Sequence, residues 1–227
     1  MIWTNENKEY NFIVDEKIDT NKINFIDKIH ENDIYEKYRI ETTLCGELII
    51  CNNYREKQKF IKEIVKETYE EYLEELNNYK IEKDEWIYNI IDGLNEQEEI
   101  LYENGEFIVI PNYVWNKKEI KKMHILCIVK DKNLRSIRSL DSSHIKLLES
   151  IKKETLKIIN KEYNILENKI KMYIHYAPST YHLHIHFVNI ENTDVNSSVE
   201  YSHELDSIIY NLSIKDDYYK KVMNKRI

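Results

Sequence analysis

His182-Leu183-His184-Ile185-His186-Phe187-Val188-Asn189-Ile190 places three histidines at alternate positions in an apolar run. Side chains alternate across a β-strand, so His182, His184 and His186 share one face, with Leu183, Ile185 and Phe187 buried on the other. The stretch predicts a strand over 181–190 whose solvent side is a row of imidazole. Imidazole is a costly packing element but a fair nucleophile and a proton carrier near neutral pH. The chain has only eight histidines, so three in strict alternation point to chemistry before packing. A metal site is the rival reading, because alternating histidines can supply two or three ligands. The residues that follow, Phe187, Val188 and Asn189, are poor ligands, and the nearest upstream histidine is His175.

Outward from this strand the periodicities alternate between strand and helix. Residues 169–176 read as a neighbouring strand. Asp141 or Ser142 can cap a helix running to about Glu162, with Ile145, Leu148, Ile151, Thr155, Ile158 and Ile159 as its buried stripe. Three strands are expected at Glu98–Tyr102, Glu106–Pro111 and Met123–Lys130, the first two flanking the turn signal Asn104-Gly105. A short helix is expected at Asp84–Asp92. A longer one, Arg55–Tyr79, is predicted from Ile61, Ile64, Val65, Thr68, Tyr69, Tyr72, Leu73 and Leu76. Before it the chain is β-rich, with candidate strands at 10–14, 35–43 and 46–52; after the histidine strand come a helix at about 199–212 and a polar tail. The fold class is α+β: an antiparallel C-terminal unit, and a smaller N-terminal α+β module that needs a partner surface.

Composition narrows the function. The chain has 227 residues, 42% of them apolar and 33% charged, which suits a soluble globular protein. Its net charge of −8 argues against gripping long RNA or DNA through phosphates. A small nucleotide in a local basic pocket is still compatible, and Lys117, Lys118, Lys121, Lys122, Lys130, Lys132, Arg135 and Arg138 do collect over 117–138. Only three glycines occur and none are clustered, so phosphate-cradling glycine loops are absent and side chains must hold any phosphate. Cys45, Cys51 and Cys127 form no C-x-x-C pair, which suggests neither a disulfide framework nor a zinc knuckle. No signal pattern opens the chain and no apolar run reaches membrane-spanning length, so cytoplasm or nucleus is the expected compartment.

The stretch Tyr173-Ile174-His175-Tyr176-Ala177-Pro178-Ser179-Thr180-Tyr181-His182-Leu183-His184-Ile185-His186-Phe187 resembles the triad segment of the scavenger mRNA decapping enzymes, a branch of the histidine-triad hydrolases. Asn32-Asp33-Ile34-Tyr35, Trp86-Ile87-Tyr88-Asn89-Ile90-Ile91-Asp92, Phe107-Ile108-Val109-Ile110-Pro111, Trp115-Asn116 and Leu134-Arg135-Ser136-Ile137-Arg138-Ser139-Leu140 resemble further anchors, in the family's order. The resemblance implies a hydrolase, needing neither metal nor cofactor, that cleaves the triphosphate bridge of 7-methylguanosine-capped short RNA or cap dinucleotide left by 3′-to-5′ decay. It releases 7-methylguanosine monophosphate through a phosphohistidyl intermediate. His184 would be the nucleophile, His182 and His186 would orient it and bind phosphate oxygens, and His175 would add a contact. Trp86 and Tyr113 would sandwich the methylated guanine, and Glu96 would accept from its N1–H and amine. Asn112, Ser179 and Thr180 would lie along the phosphates.

The resemblance also implies a homodimer with swapped N-terminal segments, residues 1–80 forming a dimerisation and lid module and 81–227 the histidine-triad domain. Four positions depart from the family's pattern. Asn112 stands for an Asp, Val114 for a phosphate-binding Lys, Thr180 for a Tyr and Tyr201 for a basic residue. Lys117, Lys118 and Arg135 are the candidates to compensate. A cap-binding protein with little turnover and a general histidine-triad nucleotide hydrolase are the alternatives.

Overall fold

Residues 63–226 are described in full by the computed structural model, and within residues 1–62 the backbones of five strands. The chain divides into two compact units, Met1–Ile61 and Lys62–Ile227. In the first, β1 (Ile2–Asn5), β2 (Lys8–Asn11), β3 (Asn24–Glu31), β4 (Tyr35–Glu41) and β5 (Gly46–Cys51) form an antiparallel sheet in the order β1-β2-β5-β4-β3. β4 and β5 match the strands expected from residues 35 and 46. The expected strand 10–14 overlaps β2 at its start, and its residues 12–14 lie outside the described residues.

The predicted helix Arg55–Tyr79 is corrected at its N-terminal half. Residues 55–62 lie outside the described residues, but Ile64–Glu67 is a strand, β6, and the helix α1 spans only Tyr69–Asn78. Thr68 is the cause of the break. Its hydroxyl accepts from the Glu71 N–H while the Glu71 carboxylate accepts from the Thr68 N–H, a reciprocal cap that starts a helix there and nowhere earlier.

Beyond α1 come α2 (Glu85–Ile91), β7 (Tyr102–Glu103), β8 (Phe107–Pro111), β9 (His124–Val129), α3 (Ile145–Tyr163), β10 (Ile170–His175), β11 (His184–Asn189), β12 (Ser202–Glu204), α4 (Leu205–Ile214) and β13 (Met223–Arg226). The Asn104-Gly105 turn forms as expected, with Asn104 Oδ1 accepting from the N–H groups of Glu106 and Phe107. The strand expected at Glu98–Tyr102 is instead a 3-10 turn at Gln97–Glu99 followed by β7. The last helix starts at Leu205, not 199, because Glu204 caps it by accepting from Ser207. The expected polar tail also contains structure, since β13 pairs antiparallel with β6. Glu67 on β6 is buried, and its carboxylate meets the Lys225 ammonium at 2.9 Å and the Tyr176 hydroxyl.

Six strands make one antiparallel sheet in the order β12-β10-β11-β9-β8-β7. Leu183, Ile185 and Phe187 join the large core, with Leu148, Ile151 and Ile159 of α3 and Leu205, Ile208 and Leu212 of α4. The opposite face carries His184 and His186, and pairing register adds Tyr173 and His175 from β10 and His124 from β9. The expectation of a solvent-side imidazole row fails here. α2 packs Ile87 and Ile90 against Ile108, Ile110, Leu126 and Ile128 on this same face. His182, His184 and His186 are accordingly only 1%, 9% and 6% exposed. Alternation cannot reveal a helix supplied from another part of the chain.

Replacing Thr68 with alanine removes one side of the reciprocal cap and should destabilise the protein by about 1 kcal/mol, with Thr68→Ser close to neutral. Chemical denaturation of the two variants beside the parent measures it; equal losses would mean that packing, not the cap, fixes the start of α1.

Candidate active site

The histidine rings are set by main-chain carbonyls. His184 Nδ1 lies 2.8 Å from the carbonyl oxygen of His182, in the loop leading into β11. A carbonyl only accepts, so Nδ1 carries the proton and Nε2 keeps its lone pair. By the same logic His182 Nε2–H donates to the Val129 carbonyl and His175 Nε2–H donates to the Asn196 carbonyl at 2.9 Å. The rings pack on one another: His184 to His186 at 5.0 Å between centroids, His175 to His186 at 4.3 Å. The structure therefore brings His175, His182, His184 and His186 into one cluster.

Burial sets the charge of this cluster. Desolvation is the leading cause that pushes His175 and His182 down to about 4 and depresses His184 and His186 too. Protonating any one ring also raises the cost of protonating its neighbours, since His184 opposes charge on His175, His182 and His186. At neutral pH the cluster is uncharged, and His184 Nε2 is a free nucleophile.

Beside it lies a recess of about 180 Å3, open to solvent and lined by Arg135, Ser136, His175, Pro178, His182 and His184. Much of that space is open solvent, so the recess is a surface depression where the cluster meets solvent and encloses no ligand. Arg135 is the cation at its wall. Its two terminal nitrogens donate to the Tyr88 hydroxyl at 2.6 Å and to Asp84 Oδ2 at 2.8 Å, and Asp84 also accepts from Tyr79 at 2.7 Å. Asp84 is fully buried. Tyr88 in turn stands edge-on to His182 at 5.5 Å. Of the three candidate compensating cations, Arg135 reaches the recess, while Lys117 pairs with Glu99.

The remaining expected residues are not among those that line the recess. Trp86 is half-buried on α2, with its indole N–H buried and without a partner. Glu96 is half-buried in the turn after α2 with a left-handed φ of 55°. Asn112 turns its side-chain oxygen back to the Val114 N–H, and Tyr113 beside it is half-buried. Pro178 lines the recess, whereas Ser179 is exposed and Thr180 buried outside its lining. Tyr201 stacks on His175 at 4.0 Å and carries the Arg226 guanidinium on its ring at 4.1 Å. Among the described residues no group of three or more His, Cys, Asp or Glu side chains is arranged to hold a metal ion.

Sequence reasoning missed His124, which meets His186, and Tyr173, which stacks on it at 5.2 Å. His124 opens an apolar strand, and only the pairing of β9 with β11 reveals that it shares the histidine face. It also missed Asp84 and Tyr88 as the holders of Arg135.

Residues 85–200 match the family profile described as "Scavenger mRNA decapping enzyme C-term binding". An "m7GpppX diphosphatase" of Ascaris suum is 32% identical over 213 residues, covering 85% of this chain and 69% of that protein. The protein of the same description from Caenorhabditis elegans is 31% identical over 215 residues, covering 86% of this chain and 68% of its own length. A solved structure described as "Crystal structure of aprataxin ortholog Hnt3 in complex with DNA" is 15% identical and overlays on 57% of this chain and 75% of that one, with a TM-score of 0.43. At that score the overlay decides nothing.

The histidine cluster makes stability depend on pH. A histidine depressed in the folded state contributes fully above its unfolded value of about 6.5, because neither state then binds the proton. As pH falls below 6.5 the unfolded chain takes up protons first, and stability drops until about pH 4, where folded His175 and His182 titrate too. Histidine proton resonances followed by NMR from pH 8 to pH 4 check the cause: His175 and His182 should hold their neutral shifts through pH 6. Midpoints at the ordinary histidine value would overturn it.

Proposed function

Because the chain belongs to the scavenger mRNA decapping family, we propose that it hydrolyses the triphosphate bridge of 7-methylguanosine-capped short RNA or cap dinucleotide, releasing 7-methylguanosine monophosphate. One observation carries the chemistry: neutral His184, its Nδ1 proton committed to the His182 carbonyl, presents a bare Nε2 at a recess walled by Arg135. The Nε2 lone pair attacks the phosphorus nearest the methylguanosine. A P–N bond forms as the P–O bond to the departing nucleoside diphosphate, or diphosphate-ended RNA, breaks. The ring is cationic in this phosphohistidyl intermediate, and the Nδ1–H bond to a carbonyl oxygen offsets that charge. Water then attacks the phosphorus, the P–N bond breaks, one proton leaves to solvent and the neutral imidazole returns.

Donors around the recess offset the charge on the phosphoryl oxygens. Arg135 is held by Asp84 and Tyr88 and can turn its remaining N–H groups toward them, a role that offsets the loss of the family's Lys at Val114. Trp86 takes one face of the cationic methylguanine and Tyr113 the other, with Glu96 on its edge. The site uses a recess for the reacting phosphate and leaves the base outside it. The family resemblance further supports a homodimer with exchanged N-terminal segments, working in the cytoplasm or nucleus; light scattering on the purified protein distinguishes dimer from monomer.

A second reading, a cap-binding protein with little turnover, is favoured by Asn112, whose side chain is spent on its own turn. One assay separates the two. Incubation with a methylated cap dinucleotide in EDTA should yield 7-methylguanosine monophosphate, and His184→Ala should lose roughly a thousandfold or more in kcat. Arg135→Met should lower kcat/KM by at least tenfold, and Trp86→Ala should weaken binding by about tenfold to a hundredfold. Tight binding without product over hours would establish the second reading, and full activity in His184→Ala would sink the mechanism.

A further inference from the structure

We propose that Arg226 is a positioning residue for the substrate's phosphates: its cation, held on the Tyr201 ring behind His175, draws the anionic bridge toward the recess without touching it. The Tyr201 ring stacks on His175 at 4.0 Å between centroids and 24° from parallel, and the Arg226 guanidinium lies 4.1 Å from the centre of the same ring. Two groups that close cannot share one face, so Tyr201 is the middle of three layers. His175 is the layer that lines the recess. The cation is therefore no more than about 8 Å from the His175 ring, comparable with the distance over which physiological salt screens a charge.

The stack is held at each layer by the main chain. Arg226 ends β13, opposite Ile64 of β6, and its neighbour Lys225 is bonded to the buried Glu67. The Tyr201 carbonyl accepts from the Tyr176 N–H at 2.9 Å, which ties it to the residue after His175. His175 in turn donates Nε2–H to the Asn196 carbonyl. Only 17% of the Arg226 side chain is exposed, and its Nη1 is buried without a hydrogen-bond partner. The Glu200 carboxylate lies 3.7 Å from that nitrogen, too far for a hydrogen bond, so the charge is balanced only loosely. A guanidinium on an aromatic face keeps its full charge in place.

The field of this cation crosses the stack. Burial is the main reason that the His175 pKa falls to about 4, and the Arg226 charge is among the further causes that oppose its protonation. A field that disfavours a cation at His175 favours an anion beside it. Arg135 lines the recess, and Arg226 adds a second positive charge from the His175 side, where position 201 itself carries none. A charge acting at that distance attracts the bridge in the ground state and the transition state alike, so its loss shows in KM more than in kcat.

This role rests on the hydrolase proposal and adds a residue to it, and the test separates the two. With a methylated cap dinucleotide, Arg226→Gln should raise KM about tenfold, lower kcat by less than about threefold and flatten the dependence of KM on salt. Arg226→Lys keeps the charge but not the flat cover over Tyr201, and should stay within about threefold of the parent in KM. Arg226→Gln combined with Tyr201→Arg returns a cation beside His175 and should restore KM, which a packing role for Arg226 would not predict. In the free protein, the NMR midpoint of His175 should rise from about 4 when Arg226 is replaced by glutamine. An active parent whose KM is within about twofold of that of Arg226→Gln, or a His175 midpoint that does not move, would overturn the role of Arg226. So would a KM in Arg226→Lys about tenfold above the parent's, a measurement that stands even where Arg226→Gln fails to fold. A parent that hydrolyses no cap compound would instead overturn the hydrolase reading, while the His175 midpoint still reports whether the cation reaches the recess wall.

Discussion

The hydrogen bond from His184 Nδ1–H to the carbonyl of His182 is the interaction on which the site depends. It joins two members of the triad through the main chain that connects them, so His184 is oriented by the loop that runs into its own strand. It decides which nitrogen keeps a lone pair, and burial then keeps that lone pair unprotonated at neutral pH. Everything that dries this face contributes to the same end. α2 covers part of it with Ile87 and Ile90, and Tyr88 from the same helix closes against His182.

A second connection runs from α2 to the recess through charge. Arg135 is bonded at once to Asp84, just ahead of α2, and to Tyr88, within it. A guanidinium tied at two points loses little freedom when it meets an anion, and burial of Asp84 makes the tie costly to break. The helix that carries Trp86 is thereby pinned to the loop that carries Arg135. Trp86 and Arg135 thus share one support, so a disturbance of Asp84 reaches both.

Much of this is legible in the sequence where a pattern is local. The alternating histidines, the Asn104-Gly105 turn and the stripe of Leu148, Ile151, Thr155 and Ile159 each depend on residues a few positions apart. What escapes depends on partners far along the chain. Ile64 and Val65 fit a helical stripe as readily as a strand, and only the pairing of β6 with Met223–Arg226 distinguishes them. His124 reads as the first residue of an apolar strand, because nothing nearby says that it faces His186. The basic residues over 117–138 look alike, and only the positions of Asp84 and Tyr88 single out Arg135.

The pairing of β6 with β13 also bears on how the protein is made. Ile64 meets Arg226 and Glu67 meets Met223, so a strand translated early waits for one translated much later. Until that segment leaves the ribosome, Glu67 lacks the Lys225 ammonium that balances its charge, and α1 begins from a strand without a mate. The catalytic unit therefore completes its fold only after nearly all of residues 63–226 have been synthesised, with the histidine strand already available but one side of its support still missing.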